Sequence, residues 1–150
     1  MIWKKTATHT PLETEEIGQA LAAAMTEDKG LPPFVALYGD LGVGKTAFVR
    51  GFVSVISPNA AVRSPTFALV NEYRGGKIPV FHFDMYRIEG EDDLYSIGFY
   101  DYLDRGICLV EWSENIPFAL PDDYFRVLIE KTPEDENERS ITIERMEGSC

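Results

Sequence analysis

Residues 39–46, Gly-Asp-Leu-Gly-Val-Gly-Lys-Thr, combine three glycines with a lysine and a hydroxyl at fixed spacing. Gly39, Gly44, Lys45 and Thr46 fit the pattern G-x-x-x-x-G-K-[ST] of a phosphate-binding loop. Each residue type has a chemical reason to be there. The glycines let the backbone curl, so that the successive N–H groups of Gly39, Asp40, Leu41, Gly42, Val43 and Gly44 point inward. A helix starting near Lys45 adds the positive end of its dipole. Lys45 reaches the outer phosphates, and the Thr46 hydroxyl is placed to ligate Mg²⁺. An ordinary strand-to-helix turn also uses Gly and Lys, but here an apolar strand precedes the loop and an amphipathic helix follows it.

A nucleoside triphosphatase also needs acids at strand ends, to hold the metal and to orient the attacking water. Glu111 closes "ICLVE", the shape of a Walker-B strand, and Asp84 closes "VFHFD" just before "MYR". Lys45, Asp84 and Glu111 are thus the catalytic candidates, and Thr46, Glu111 and Asp84 the metal candidates. The bland alternative for either acid is an exposed carboxylate at a strand end. Trp112, directly after Glu111, reads as packing or as a contact surface. Arg63, Arg74 and Arg87 each have the chemistry of an arginine finger, although a lone arginine is usually a surface charge. His9, His82, Cys108 and Cys150 have no partners at metal-ligand spacing.

The elements that must position these residues follow from periodicity. "WKKTATH" reads as a short strand. "TPLETEEIGQALAAAMTEDKG" reads as a helix, opened by a Thr10–Glu13 capping box with Pro11 at its first turn and closed by Gly30, Pro32 and Pro33. Ile17, Leu21, Ala24 and Met25 form its apolar face. "FVALY" is a continuous apolar run, as expected of a strand covered on both faces, and "KTAFVRGFVSVI" continues the loop as a helix. "TFALVNEY" and "IPVFHFDMY" flank "RGGK" and predict an antiparallel hairpin. "EGEDDLYSIGFYDYLDRG" predicts a helical segment broken near Gly98, with Glu89, Glu91, Asp92 and Asp93 as a solvated helix start. "ICLVEW" is an apolar strand, "SENIPFALPDD" a connection, and "YFRVLIEK" and "RSITIERM" a terminal hairpin around the polar "TPEDENE". Together these predict a single α/β P-loop domain over residues 1–150, with a mixed parallel and antiparallel sheet flanked by helices.

Composition limits the partners. The 150 residues carry a formal net charge of -11, so the surface as a whole does not suit direct binding of nucleic acid or anionic lipid. No apolar run approaches a membrane span, and "MIWKKTATHT" lacks the apolar segment of a secretory signal, so a cytoplasmic protein is expected. An acidic chain still binds a nucleotide here, because backbone donors, one lysine and a metal catch the anion locally.

"GDLGVGKT", "SPTFALVNEY", "FHFDMYRI" and "LVEW", in this order, resemble the TsaE (YjeE) family of small bacterial P-loop ATPases over nearly the whole chain. The resemblance implies ATP and Mg²⁺ as cofactors, slow hydrolysis by the subunit alone, and a role in threonylcarbamoyladenosine modification at tRNA position 37. It implies TsaB and TsaD as partners, which would hold the tRNA. Lys45 and Thr46 match the family's loop, Glu111 its metal-associated acid, and Asp84 the acid of "HFDxYR". Ser64 and Thr66 match a segment resembling a nucleotide-sensing switch, and Trp112 the tryptophan after the acid. Thr10 and Lys131 are implied contacts at the base end of ATP. Two other functions would use the same loop. A small-metabolite kinase usually adds an arginine lid, which no segment here resembles. A nucleotide-dependent binding module would order "SPTF" for docking, with little turnover. A guanine-reading lysine two residues before an aspartate is missing, so GTP is not expected.

Overall fold

The computed structural model describes residues 1–39, 43–63, 65 and 69–148. In chain order the elements are β1 (Ile2–Thr8), α1 (Pro11–Glu27), β2 (Phe34–Tyr38), α2 (Lys45–Ile56), β3 (Val70–Tyr73), β4 (Val80–Asp84), α3 (Glu91–Ser96), α4 (Phe99–Tyr102), β5 (Ile107–Glu111), β6 (Tyr124–Thr132) and β7 (Asp135–Met146). Two 3-10 turns, Ser113–Asn115 and Pro117–Ala119, bridge β5 and β6. The strands form one sheet in the order β1-β7-β6-β2-β5-β4-β3. β2 pairs in parallel with β5 and β6, and β4 in parallel with β5, so the carboxyl ends of β2, β4 and β5 share one edge. β3 runs antiparallel to β4, and β7 antiparallel to both β6 and β1. The predicted mixed sheet and both predicted hairpins are present.

Strand alternation sorts the core into two layers. Val35, Leu37, Leu109, Val127 and Ile129 face the α1–α2 side with Leu21, Phe48 and Phe52. Phe34, Ala36, Phe81, Phe83, Cys108 and Val110 face α3 and α4 with Leu94 and Phe99. Cys108 is fully buried, in keeping with its expected packing role. α1 and α2 approach closely because glycines meet there: a Cβ on Gly51 would overlap the Glu15 carbonyl, and one on Gly18 the Phe48 carbonyl.

Several boundaries differ from expectation. α1 opens as predicted, with the Glu13 N–H donating to Thr10 Oγ1 at 3.1 Å, but the reciprocal bond to the Glu13 carboxylate comes from the His9 N–H. Its buried stripe is Thr14, Gly18, Leu21, Ala22 and Met25, with Ala24 turned partly out. β3 begins at Val70 because Leu69 has φ 68°, a left-handed conformation that a strand cannot contain; residues 66–68 of the predicted strand lie outside the described residues. β4 ends at Asp84, where the Met85 N–H crosses to the Glu111 carbonyl. Most of "TPEDENE" is strand rather than turn: β7 already starts at Asp135, whose carboxylate accepts the Asn137 N–H. Glu91, Asp92 and Asp93 do occupy the first turn of α3. Among the described residues no helix is long and apolar enough to cross a membrane.

Candidate functional site

The loop between β2 and α2 depends on its glycines at both ends. Gly39 has φ 143°, and a Cβ there would stand 2.5 Å from the Ile129 carbonyl oxygen and 2.9 Å from Val43 Cγ2. Gly44, at φ 110°, caps α2 without a side-chain bond. Among the described residues the first N–H groups of α2 therefore have no side-chain acceptor, and the geometry of a helix start denies them an intrahelical one, which makes this helix end attractive to an anion. Arg139 of β7 holds the loop from outside, its Nε donating to the Val43 carbonyl at 3.0 Å. Asp40, Leu41 and Gly42 lie outside the described residues.

Lys45, the first residue of α2, is only 6% exposed. Its Nζ donates to the Gly39 carbonyl at 2.7 Å and stands 4.7 Å from the centre of the Trp112 ring. Among the described residues no carboxylate forms an ion pair with it. A buried cation held by a carbonyl and an aromatic face suits an incoming phosphate, which supplies a counter-charge. Trp112 takes φ 58°, left-handed, and its ring lies 5.1 Å from that of Tyr86. Thr46 follows Lys45 on α2 and is half-buried.

Asp84 and Glu111 are direct cross-strand partners at the carboxyl ends of β4 and β5, each 7% exposed. Asp84 Oδ1 accepts the Tyr86 N–H at 2.9 Å, and Glu111 Oε2 lies 2.5 Å from His82 Nε2. The Asn115 amide donates to the carbonyls of Met85 and Tyr86 at 2.9 and 3.2 Å, tying the two strand ends together. His82, expected to be lone, is thus the partner of a site acid. The signal was present in "VFHFD": residues two apart share a sheet face, so His82 falls in step with Asp84. Arg139 was also missed, since no local pattern marks it.

The donors fit Mg²⁺ bound with a nucleotide. Among the described residues no group of three or more His, Cys, Asp or Glu side chains could hold a metal ion. Mg²⁺ commonly takes only one or two carboxylates, with phosphate oxygens and water completing its shell, and the paired acids Asp84 and Glu111 supply that number.

Thr10 and Lys131 flank the loop on different sides. Thr10 lines a hollow with His9, Pro11, Thr14, Val43, Gly44, Ala47, Asn137 and Arg139, and its hydroxyl oxygen already caps α1. Lys131 lines another with Tyr38, Gly39, Glu114 and Arg126. There Tyr38 lies under the Arg126 guanidinium, 4.9 Å from ring centre to Cζ. Burial, reinforced by neighbouring Tyr124, pushes its phenol up to about 12. Ser64 and Thr66 lie outside the described residues.

Comparison with known proteins matches residues 8–141 to the family model described as "Threonylcarbamoyl adenosine biosynthesis protein TsaE". The chain is 37% identical over 139 residues to the tRNA threonylcarbamoyladenosine biosynthesis protein TsaE of Bacillus subtilis, covering 92% of this chain and 84% of that protein. It is 32% identical to the protein of the same name from Rickettsia bellii, covering 96% and 98%. A crystal structure of Bacillus subtilis YdiB superposes with a TM-score of 0.74 at 33% identity, covering 99% of this chain and 88% of that one.

Proposed function

The chain belongs to the TsaE family of threonylcarbamoyl adenosine biosynthesis proteins, and from that premise we propose that it is an Mg²⁺-dependent ATPase subunit of the tRNA position-37 modification, acting as one domain in the cytoplasm with TsaB and TsaD. The observation that supports the ATPase reading is the placement of Asp84 opposite Glu111 at the carboxyl ends of β4 and β5, on the sheet edge from which β2 leads through the glycine loop to Lys45 at the start of α2. Open α/β sheets bind ligands at the carboxyl ends of their strands, where these residues stand.

In this proposal the loop from Gly39 to Gly44 and the first turn of α2 hold the phosphates, and Lys45 leaves the Gly39 carbonyl to pair with the outer ones. Mg²⁺, when bound, neutralises charge building on the phosphate oxygens. Thr46, Glu111 and Asp84 would hold the metal, and one of the two acids would also accept a hydrogen bond from the attacking water and orient it. Trp112 and the segment holding Ser64 and Thr66 carry the nucleotide state to the partner proteins, and tRNA is reached only through them. The net charge of -11 favours this division, because tRNA binding rests on neutralising phosphates with Lys and Arg.

Phosphate release from ATP, measured for the protein alone and with TsaB and TsaD, tests the assignment. Slow release that rises with the partners and disappears in Lys45→Ala is expected. Turnover that ignores the partners while phosphate moves to a small metabolite would overturn it in favour of a kinase. Tight ATP binding without turnover under either condition would leave a nucleotide-dependent binding module.

A further inference from the structure

His82 is a polar residue in a strand whose neighbours, Val80, Phe81 and Phe83, are all fully buried, and it is itself 0% exposed. A buried imidazole must be hydrogen-bonded or it costs stability. His82 meets the carboxylate at the end of the adjacent strand, with Nε2 and Glu111 Oε2 2.5 Å apart. A carboxylate offers only lone pairs, so Nε2–H is the donor. The other ring nitrogen, Nδ1, is buried without a hydrogen-bond partner among the described residues. Among the described residues its one polar contact is therefore that to Glu111.

The strand register explains why Glu111 needs this contact. Asp84 lies directly across from Glu111, so two nearly buried carboxylates face each other on strands about 4.8 Å apart. Left alone they would repel and swing apart. Each is instead held by one oxygen: Asp84 Oδ1 by the Tyr86 N–H, and Glu111 Oε2 by His82. The second oxygen of each, Asp84 Oδ2 and Glu111 Oε1, has no bond to another described residue. The pairing thus holds one oxygen of each carboxylate and leaves the other without a bond to a described residue, at the carboxyl ends of β4 and β5.

We propose that His82 is the positioning residue for Glu111: its Nε2–H holds Oε2 within the sheet, so that Oε1 is aimed at the water or metal of the site. The proposal rests on the ATPase function proposed above. It assigns His82 no contact with the nucleotide, so its loss lowers turnover and leaves ATP binding alone.

Four variants of the full chain test this, His82→Leu, His82→Gln, Glu111→Gln and the His82→Leu/Glu111→Gln double, assayed with the partner proteins for kcat and KM and by calorimetry for ATP affinity. His82→Leu removes the donor and keeps the bulk; His82→Gln returns an N–H near the position of Nε2. The expected result is a fall in kcat of about tenfold or more for His82→Leu, an ATP affinity within about threefold of the parent, and recovery by His82→Gln to within about threefold. Added to Glu111→Gln, His82→Leu should cost nothing further, since both act through one carboxylate. Turnover of His82→Leu equal to the parent, or a full extra loss on the Glu111→Gln background, would overturn the proposal. If the histidine variants fail to fold, ¹⁵N NMR of the protein with His82 intact decides: the Nε2 resonance must move in Glu111→Gln, and an unchanged resonance overturns the pairing. A parent protein without turnover, with or without partners, would instead overturn the ATPase function itself.

Discussion

The Lys45 ammonium lies 4.7 Å from the centre of the Trp112 ring while donating to the carbonyl of Gly39. The residue proposed above to meet a nucleotide's phosphates is thus held by its own loop and by the residue after Glu111. The aromatic share of that hold is worth about 0.5–2 kcal/mol, depending on how dry the contact is. It is weak enough for a phosphate to displace and strong enough to order the side chain.

The indole should therefore report nucleotide binding. Adding ATP with Mg²⁺ is expected to change tryptophan emission, because the cation over Trp112 moves away from the ring. Trp3, the other tryptophan, packs edge-on against Phe125 at 6.1 Å on the β1 side of the sheet and should stay silent. A fluorescence titration checks this: the change must vanish in Trp112→Phe and persist in Trp3→Phe. Emission that follows Trp3 would refute the arrangement.

Asp84 combines a structural bond with a candidate metal role, and two substitutions separate them. Asp84→Asn keeps an oxygen for the Tyr86 N–H, so it should melt near the parent, yet the Mg²⁺ concentration for half-maximal turnover should rise about tenfold or more. Asp84→Ala loses both and should also cost about 1 kcal/mol of stability. Equal Mg²⁺ dependence in the parent and Asp84→Asn would remove Asp84 from the metal set.

Burial pushes the Cys108 thiol from an ordinary 9.0 up to about 12. The folded state holds this proton after the unfolded chain has begun to release it, so the stabilising effect is complete below pH 9 and is lost as pH rises toward 12. Within that window each pH unit removes up to about 1.4 kcal/mol. Urea midpoints followed across it should fall, and less steeply in Cys108→Ala. Tyr38, pushed up to about 12 chiefly by its own burial, keeps part of the slope in that variant. The folded protein should also resist alkylation at Cys108 at pH 8, as peptide mass spectrometry would show; rapid labelling would contradict its burial.

Much of the site was legible because its chemistry is written in local order. A glycine loop between an apolar strand and a helix can be found without tertiary information, since the loop, its lysine and its helix start are neighbours in the chain. Acids that close apolar runs, Asp84 and Glu111, are legible for the same reason. Parallel pairing of β4 with β5 was not, because no hairpin joins them and the register is set by packing of the two core layers. That register puts Asp84 opposite Glu111 and brings His82 against a residue 29 positions away.

The outer boundaries failed where backbone geometry overrode composition. Leu69 looks like a strand residue, yet its left-handed turn shortens β3 and lets its carbonyl accept the Asp84 N–H at 3.0 Å. The acids of "TPEDENE" look like a loop, yet β7 needs length to reach both β6 and β1, and exposed strand positions accept charge. Arg139 follows from that same extension, which carries it across 96 positions to the Val43 carbonyl.

By itself the sequence determined the glycine loop with its lysine, the α/β class and the acids that close apolar strands, because those depend on residue type and short-range spacing. Only the tertiary structure decided which acid faces which, that His82 holds Glu111, and that Arg139 and Trp112 flank the loop and its lysine. Those contacts come from strand register and layer packing, which are set by the whole core and by no single stretch of it.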